Sequence, residues 1–283
     1  MKKELGVVEE GVLLSIKKEN AFLEQKEAFF QKELVSDFLL SPKCGILDRT
    51  ILFGIYQLGF LSTPLVSLYV SHHPNVPSSY LRRDYSSLLE RLVKRGFLVS
   101  YLFGTPERNV TLYSLSEATY MEISKRAHIF CPSFEALSFS PSFIKKRMME
   151  MQFVLHRANL VQSNFLIPTN EREPFFFVNE KQRQYVYYMD AFTSCDEAFL
   201  KMLQNVLQSD MDATIVLLFD FVLDGEAFAK HLYQKTGIKQ FSRVYITYAL
   251  SKREGYYLYR IKEGEGGAIL FRIKEDFHEN HSL

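Results

Sequence analysis

Two adjacent arginines, Arg82 and Arg83, follow a hydroxyl-bearing run of Ser78, Ser79 and Tyr80 and precede Ser86. A guanidinium is a planar fork of donors that matches phosphate oxygens or the O6/N7 edge of guanine, and hydroxyls at a helix start can donate to phosphates. Ser78 also suits a helix N-cap. Further along, Arg108 and Asn109 end the turn-forming stretch Gly104-Thr105-Pro106-Glu107-Arg108-Asn109, which places one cation and one amide at the tip of a loop. The chemistry these side chains share is the gripping of a polyanion, with Arg82 or Arg83 able to read a base.

Such residues need a frame. Asp48 to Leu58 has helical spacing with Asp48 as its N-cap, and Gly59 is suited to end it. Ser62-Thr63-Pro64 then supplies a capping hydroxyl and a proline at the first turn of a second helix, which stops at about Val70 before His72-His73-Pro74. A third helix is predicted from Pro77 to Arg95, halted by Gly96. Its stripe Leu81, Tyr85, Leu88 and Leu92 faces a core and leaves Ser79, Arg82, Arg83, Ser86 and Glu90 outside. Lys94 and Arg95, at its far end, complement the helix dipole without any ligand. Phe97 to Phe103 and Val110 to Leu115 read as paired strands, and Ser116 with Glu117 opens a closing helix. Three short helices leading into a hairpin predict a winged helix-turn-helix domain over residues 46–130, whose third helix lies in the major groove while the hairpin reaches the backbone.

Outside that domain, residues 1–45 form an N-terminal segment that reads as helical from residue 7 to 40, with Ile16, Leu23 and Phe30 spaced by sevens and a homodimer arm as one outcome. Residues 131–163 read as a connection and a long helix from Ser142 to Ser163, with Lys145, Lys146 and Arg147 as a solvated run. Residues 164–283 read as an α/β domain. A hairpin of Phe175–Val178 with Gln184–Asp190 leads to a helix from Cys195 to Gln208 and the apolar strand Ala213–Phe219. Asp224 to Gln234 is helical, Arg243 to Ala249 is a strand, and a second hairpin turns across Glu263 to Gly267. Strand-helix-strand units favour parallel pairing and hairpins antiparallel pairing, so a mixed sheet is expected. The fold class is therefore α+β, a winged helix-turn-helix followed by a mixed α/β domain.

The formal net charge of +1 conceals a division, because residues 46–130 carry nine basic and six acidic side chains while residues 164–283 carry fourteen and seventeen. The positive excess is small, so nucleic-acid affinity would depend on placed arginines rather than on a broad basic field. Cys44, Cys131 and Cys195 are dispersed, without a CxxC pair, which fits a reducing cytoplasm, and the charged N-terminus lacks the apolar core of an export signal. Ile51 to Val70 is uncharged and long enough to span a bilayer, but Gly59 and Ser62-Thr63-Pro64 divide it into two capped helices. No metal site or cofactor is expected: His72 and His73 have no ligand cluster beside them, His278 and His281 belong to a polar tail, and Gly264 to Gly267 lacks a phosphate-loop context.

The segments DRTILFGIYQLGFLSTPLVSLYV, RRDYSSLLERLVKRGFLVSYLF and TLYSLSEA resemble the winged helix of plasmid replication-relaxation and MobC-type mobilisation proteins, and MMEMQFVLHRANLVQSN continues that family's layout. The resemblance implies a DNA-binding accessory factor of plasmids or integrated conjugative elements, acting near a relaxase or replication origin; the leading reading is a non-enzymatic, double-strand DNA-binding protein, with a relaxase or replication protein as a candidate partner. It also implies a C-terminal half similar to a restriction-nuclease core. Asp190 would end a strand as that core's acidic residue, yet no E-x-K or D-x-K follows it, and Glu171 and Glu173 read as loop charges. Two other functions remain beside DNA binding: a winged-helix module for protein contact or transcriptional regulation, and a magnesium-dependent nuclease.

Overall fold

The computed structural model describes residues 22–25, 35–80, 84–104, 109–128, 130–131, 133, 140–157, 164–166, 174–178, 183–189, 197–236, 242–248, 256–264 and 267–273. The chain is mixed α and β and divides into two compact units, residues 1–180 and 181–283. The first unit thereby takes in residues 164–178, which the sequence pattern groups with the α/β domain.

The first unit begins with β1 (Phe22–Gln25) and α1 (Val35–Leu40). The strand corrects the helical expectation for this part of residues 7–40: Phe22 to Gln25 pair antiparallel with Gly104 to Tyr101, so sheet hydrogen bonds replace helical ones there. α2 (Ile46–Leu58) starts two residues ahead of Asp48, with Gly45 as its N-cap. Asp48 is thus the third helical residue, and its Oδ2 accepts the Gly45 N–H at 3.1 Å. Gly59 ends the helix at φ 80°, and its N–H reaches the Ile55 carbonyl at 2.8 Å.

A strand that helical periodicity does not reveal follows at once: β2 (Phe60–Ser62), fully buried and paired antiparallel with Ser114 to Leu112. Ser62 precedes α3 (Thr63–Ser71) in the N-cap position, but its hydroxyl makes no capping bond, and Pro64 in the first turn sets the start. α2 and α3 approach closely because Gly54 has no side chain. A methyl group there would sit 2.6 Å from the Tyr69 ring.

After a 3-10 turn at Ser78–Tyr80 comes α4 (Ser86–Lys94), shorter than the Pro77–Arg95 helix that the apolar stripe implies. The side chain of Asp84 accepts the Ser86 N–H at 2.9 Å, which starts a new helix instead of continuing an old one. Leu89 and Leu92 are fully buried, each contributing roughly 1.5–3 kcal/mol. Gly96, at φ 78°, turns the chain into β3 (Leu98–Gly104), which pairs with β4 (Asn109–Leu115). The sheet order is β1-β3-β4-β2. The Ser116 hydroxyl accepts the Thr119 N–H and so starts α5 (Glu117–Ser124).

α6 (Pro141–Arg157) is capped by Ser140, whose hydroxyl accepts the Phe143 N–H at 3.2 Å. Here the expectation of a solvated run fails at Arg147, which is 1 % exposed and ion-paired with Glu150 one helical turn on. The guanidinium also lies over the Phe143 ring, 4.8 Å from its centroid. Two short strands, β5 (Asn164–Leu166) and β6 (Phe175–Val178), then pair antiparallel.

In the second unit, β7 (Arg183–Met189), α7 (Glu197–Ser209), β8 (Ala213–Phe219), α8 (Val222–Thr236) and β9 (Val244–Tyr248) alternate, and the three strands pair in parallel. β10 (Tyr259–Gly264) and β11 (Gly267–Arg272) add antiparallel strands, as the mixed-sheet expectation requires. Leu200, Leu203 and Leu207 of α7 and Phe228, Ala229 and Leu232 of α8 share one core with alternate residues of the sheet, among them Ile215, Leu217, Ile246 and Ile261. Arg243 fastens this layer. Its Nη1 donates to the carbonyls of Asp210 and Met211 at 2.7 and 2.6 Å, and its Nη2 donates to that of Leu207, satisfying groups that the end of α7 leaves open.

Candidate nucleic-acid interface

The polar residues singled out by their chemistry fall on three pieces of the first unit. Ser78 and Ser79 are exposed on the 3-10 turn. Tyr80 is half-buried, and its N–H closes the turn onto the Pro77 carbonyl at 2.9 Å. Its own carbonyl accepts the phenol of Tyr85 at 2.9 Å, and Tyr85 is buried. Arg82 and Arg83 lie outside the described residues. Ser86 opens α4 half-buried, Asn109 is exposed at the start of β4 opposite Gly104, and Arg108 lies outside the described residues.

The start of α4 is not an open anion site. The exposed carboxylate of Asp84 takes the Ser86 N–H and supplies the negative charge that a helix N-terminus favours.

The outer face of α4 carries Ser87, Glu90, Arg91 and Lys94. Arg91 and, just past the helix, Arg95 are engaged inside the domain. Arg91 pairs with Asp48 of α2, and Arg95 lies over Phe38 at 4.1 Å and Phe97 at 5.0 Å, where rings stacked 4.4 Å apart hold its guanidinium. The Asp48–Arg91 bond was not legible from spacing, since nothing local links positions 43 residues apart.

His73 lies half-buried in the turn ahead of this face, its Nδ1 enclosed without a hydrogen-bond partner and its imidazole pushed toward the neutral form by burial. The Tyr69 ring is 5.9 Å away. Among the described residues no group of three His, Cys, Asp or Glu side chains is placed to hold a metal ion. Cys44 and Cys131 are buried thiols whose pKa values burial raises, with the charge of Asp48 adding to the effect at Cys44 and Arg49 opposing it.

In the second unit, Asp190 lies outside the described residues, as do Glu171 and Glu173 in the first. A different acid stands at the carboxyl end of a parallel strand: Asp220, just after β8, is buried and its Oδ2 accepts the Tyr188 phenol at 2.5 Å. No helix among the described residues is long and apolar enough to cross a membrane. Comparison with protein families, with curated proteins and with solved structures finds no match to this chain.

Proposed function

We propose that the chain is a double-strand DNA-binding accessory protein of plasmid or conjugative-element replication or mobilisation, acting in the cytoplasm through a winged helix-turn-helix in residues 46–130. The observation that carries this reading is the pairing of β2 with β4. A short strand between the first two helices closes the base of the hairpin, so that α2, β2, α3, α4, β3 and β4 follow one another in winged-helix order. In that arrangement α4 is the groove-facing helix and the β3–β4 hairpin is the wing. Ser78, Ser79 and Asn109 contact phosphates, with Arg108 at the wing tip, and Arg82 or Arg83 supplies base readout.

The test is binding of purified protein to origin-type duplex DNA across a salt series. Arg82→Ala with Arg83→Ala is expected to weaken affinity by about tenfold or more and to flatten the salt dependence. Absence of binding at low salt, or unchanged affinity in the double variant, removes the proposed face.

One observation favours a second reading. Because Arg91 and Arg95 are committed to Asp48 and to the Phe38–Phe97 stack, the described part of α4 offers a face of mixed charge, suited to a protein partner such as a relaxase or replication protein. Recovery of such a partner in the absence of DNA, together with no direct DNA binding, would decide for it.

A further inference from the structure

We propose that the outer face of β10 and β11, bordered by Tyr245 of β9, is a platform for single-stranded nucleic acid, distinct from the duplex-binding residues proposed for the first unit. The strand alternation that sends Ile246, Ile261 and Ala268 into the core turns Tyr245, Arg260, Lys262, Ile269 and Phe271 to the opposite side. Phe271 and Ile269 are 51 % and 48 % exposed, and Arg260 and Lys262 are exposed beside them.

The register sets these groups in rows. Arg260 is opposite Tyr245 on one side and Phe271 on the other, so a cation stands between two rings across three neighbouring strands. At about 4.8 Å per strand the rings are about 10 Å apart. Lys262 is opposite Ile269 in the next row, and its ammonium reaches to 3.7 Å from the centre of the Phe271 ring. Arg260 lies 5.8 Å from the Tyr245 ring centre. No carboxylate faces outward from the described residues of these three strands: Glu263 belongs to the other face, where it accepts the Tyr233 phenol at 2.9 Å.

This chemistry selects its occupant. The exposed ring of Phe271, with the half-buried Tyr245 at its border, offers a stacking surface to bases, and the cations beside it match phosphates. A duplex cannot use the rings, because its bases are already stacked on one another. An apolar protein surface would strand Arg260 and Lys262. Single strands answer both requirements.

The experiment is fluorescence anisotropy of the full chain with a labelled oligothymidylate of about ten nucleotides at low salt. Wild-type protein is expected to bind it and to keep binding in the presence of excess duplex. Phe271→Ala is expected to weaken binding by about tenfold, Phe271→Trp to retain it, and Arg260→Gln with Lys262→Gln to weaken it while reducing its salt dependence. The Arg82→Ala, Arg83→Ala protein should bind the oligonucleotide like wild type, which separates this site from the duplex reading. The inference is overturned by absence of binding, by Phe271→Leu binding as tightly as wild type, by loss of binding in the Arg82/Arg83 variant, or by equal affinity for an oligoglutamate peptide.

Discussion

Arg91 of α4 donates from Nη2 to Oδ1 of Asp48 in α2 at 2.6 Å, while the other oxygen of the same carboxylate accepts the Gly45 N–H at 3.1 Å. One buried acid therefore both starts α2 and fixes the rotation of α4. Asp48 has little solvent access, whereas the Arg91 side chain is 52 % exposed, so the two ends of the pair differ in cost when removed.

Asp48→Ala is expected to destabilise the protein by about 2 kcal/mol, since it removes a helix-start bond and a charge-assisted bond together. Arg91→Ala leaves the Asp48 carboxylate on its Gly45 N–H bond and opens its other oxygen to the water that already reaches the half-exposed guanidinium, so it should cost less, about 1 kcal/mol. Urea unfolding midpoints would measure both. Equal losses would mean that the helix-start bond contributes nothing.

Arg147 and Glu150 make the opposite case, a pair with side chains 1 % and 0 % exposed. Arg147→Met leaves a carboxylate in the interior without its guanidinium and is expected to cost about 3–5 kcal/mol, while Arg147→Met combined with Glu150→Leu should recover much of that loss. A double-mutant cycle on unfolding free energies reads the difference. A double variant that is less stable than Arg147→Met alone would show that Glu150 is held by other partners.

Alkali should act on Tyr69. This phenol is buried and donates to Gln57 Oε1 at 3.2 Å, and burial lifts its pKa from 10.0 to about 12. The folded state keeps the proton more tightly than the unfolded chain. The stabilisation is therefore complete below pH 10 and is lost as pH rises through about 12. Tyr69→Phe should lower stability at neutral pH through the lost Gln57 bond, yet lose less of what remains between about pH 9 and pH 11. Tyr248 in the second unit is also shifted upward by burial, so part of the slope persists in the variant. Parallel declines in the two proteins would contradict the assignment to Tyr69.

Glycine and proline punctuation makes much of the element order readable from the sequence. Gly59 and Gly96 end helices where expected, and Pro64 lies in the first turn of α3. The parallel and antiparallel parts of the second sheet follow from connection length. Three features were not readable, each for its own reason. β1 and β2 are three or four residues long, too short for any periodicity, and exist because β3 and β4 offer them an edge. The late start of α4 depends on Asp84 competing for a backbone donor, a choice that an apolar stripe continuing through Leu81 cannot disclose. Arg147 read as surface because its type and its neighbours Lys145 and Lys146 are surface-like, and only a partner inside the fold makes its burial tolerable. Of the side chains chosen for their chemistry, Ser78, Ser79 and Asn109 are indeed exposed.

The two short strands brace the β3–β4 hairpin at opposite corners. β2 grips the lower part of β4, from Leu112 to Ser114, whereas β1 grips the upper part of β3, from Tyr101 to Gly104. A beam held only at its base swings freely at its tip, but one propped diagonally near the tip does not. The last described pair of the hairpin, Gly104 with Asn109, is thus held in part by residues about eighty positions earlier in the chain, through the prop at Phe22–Gln25. Peeling this strand away would free that corner of the hairpin without touching the helices beneath it.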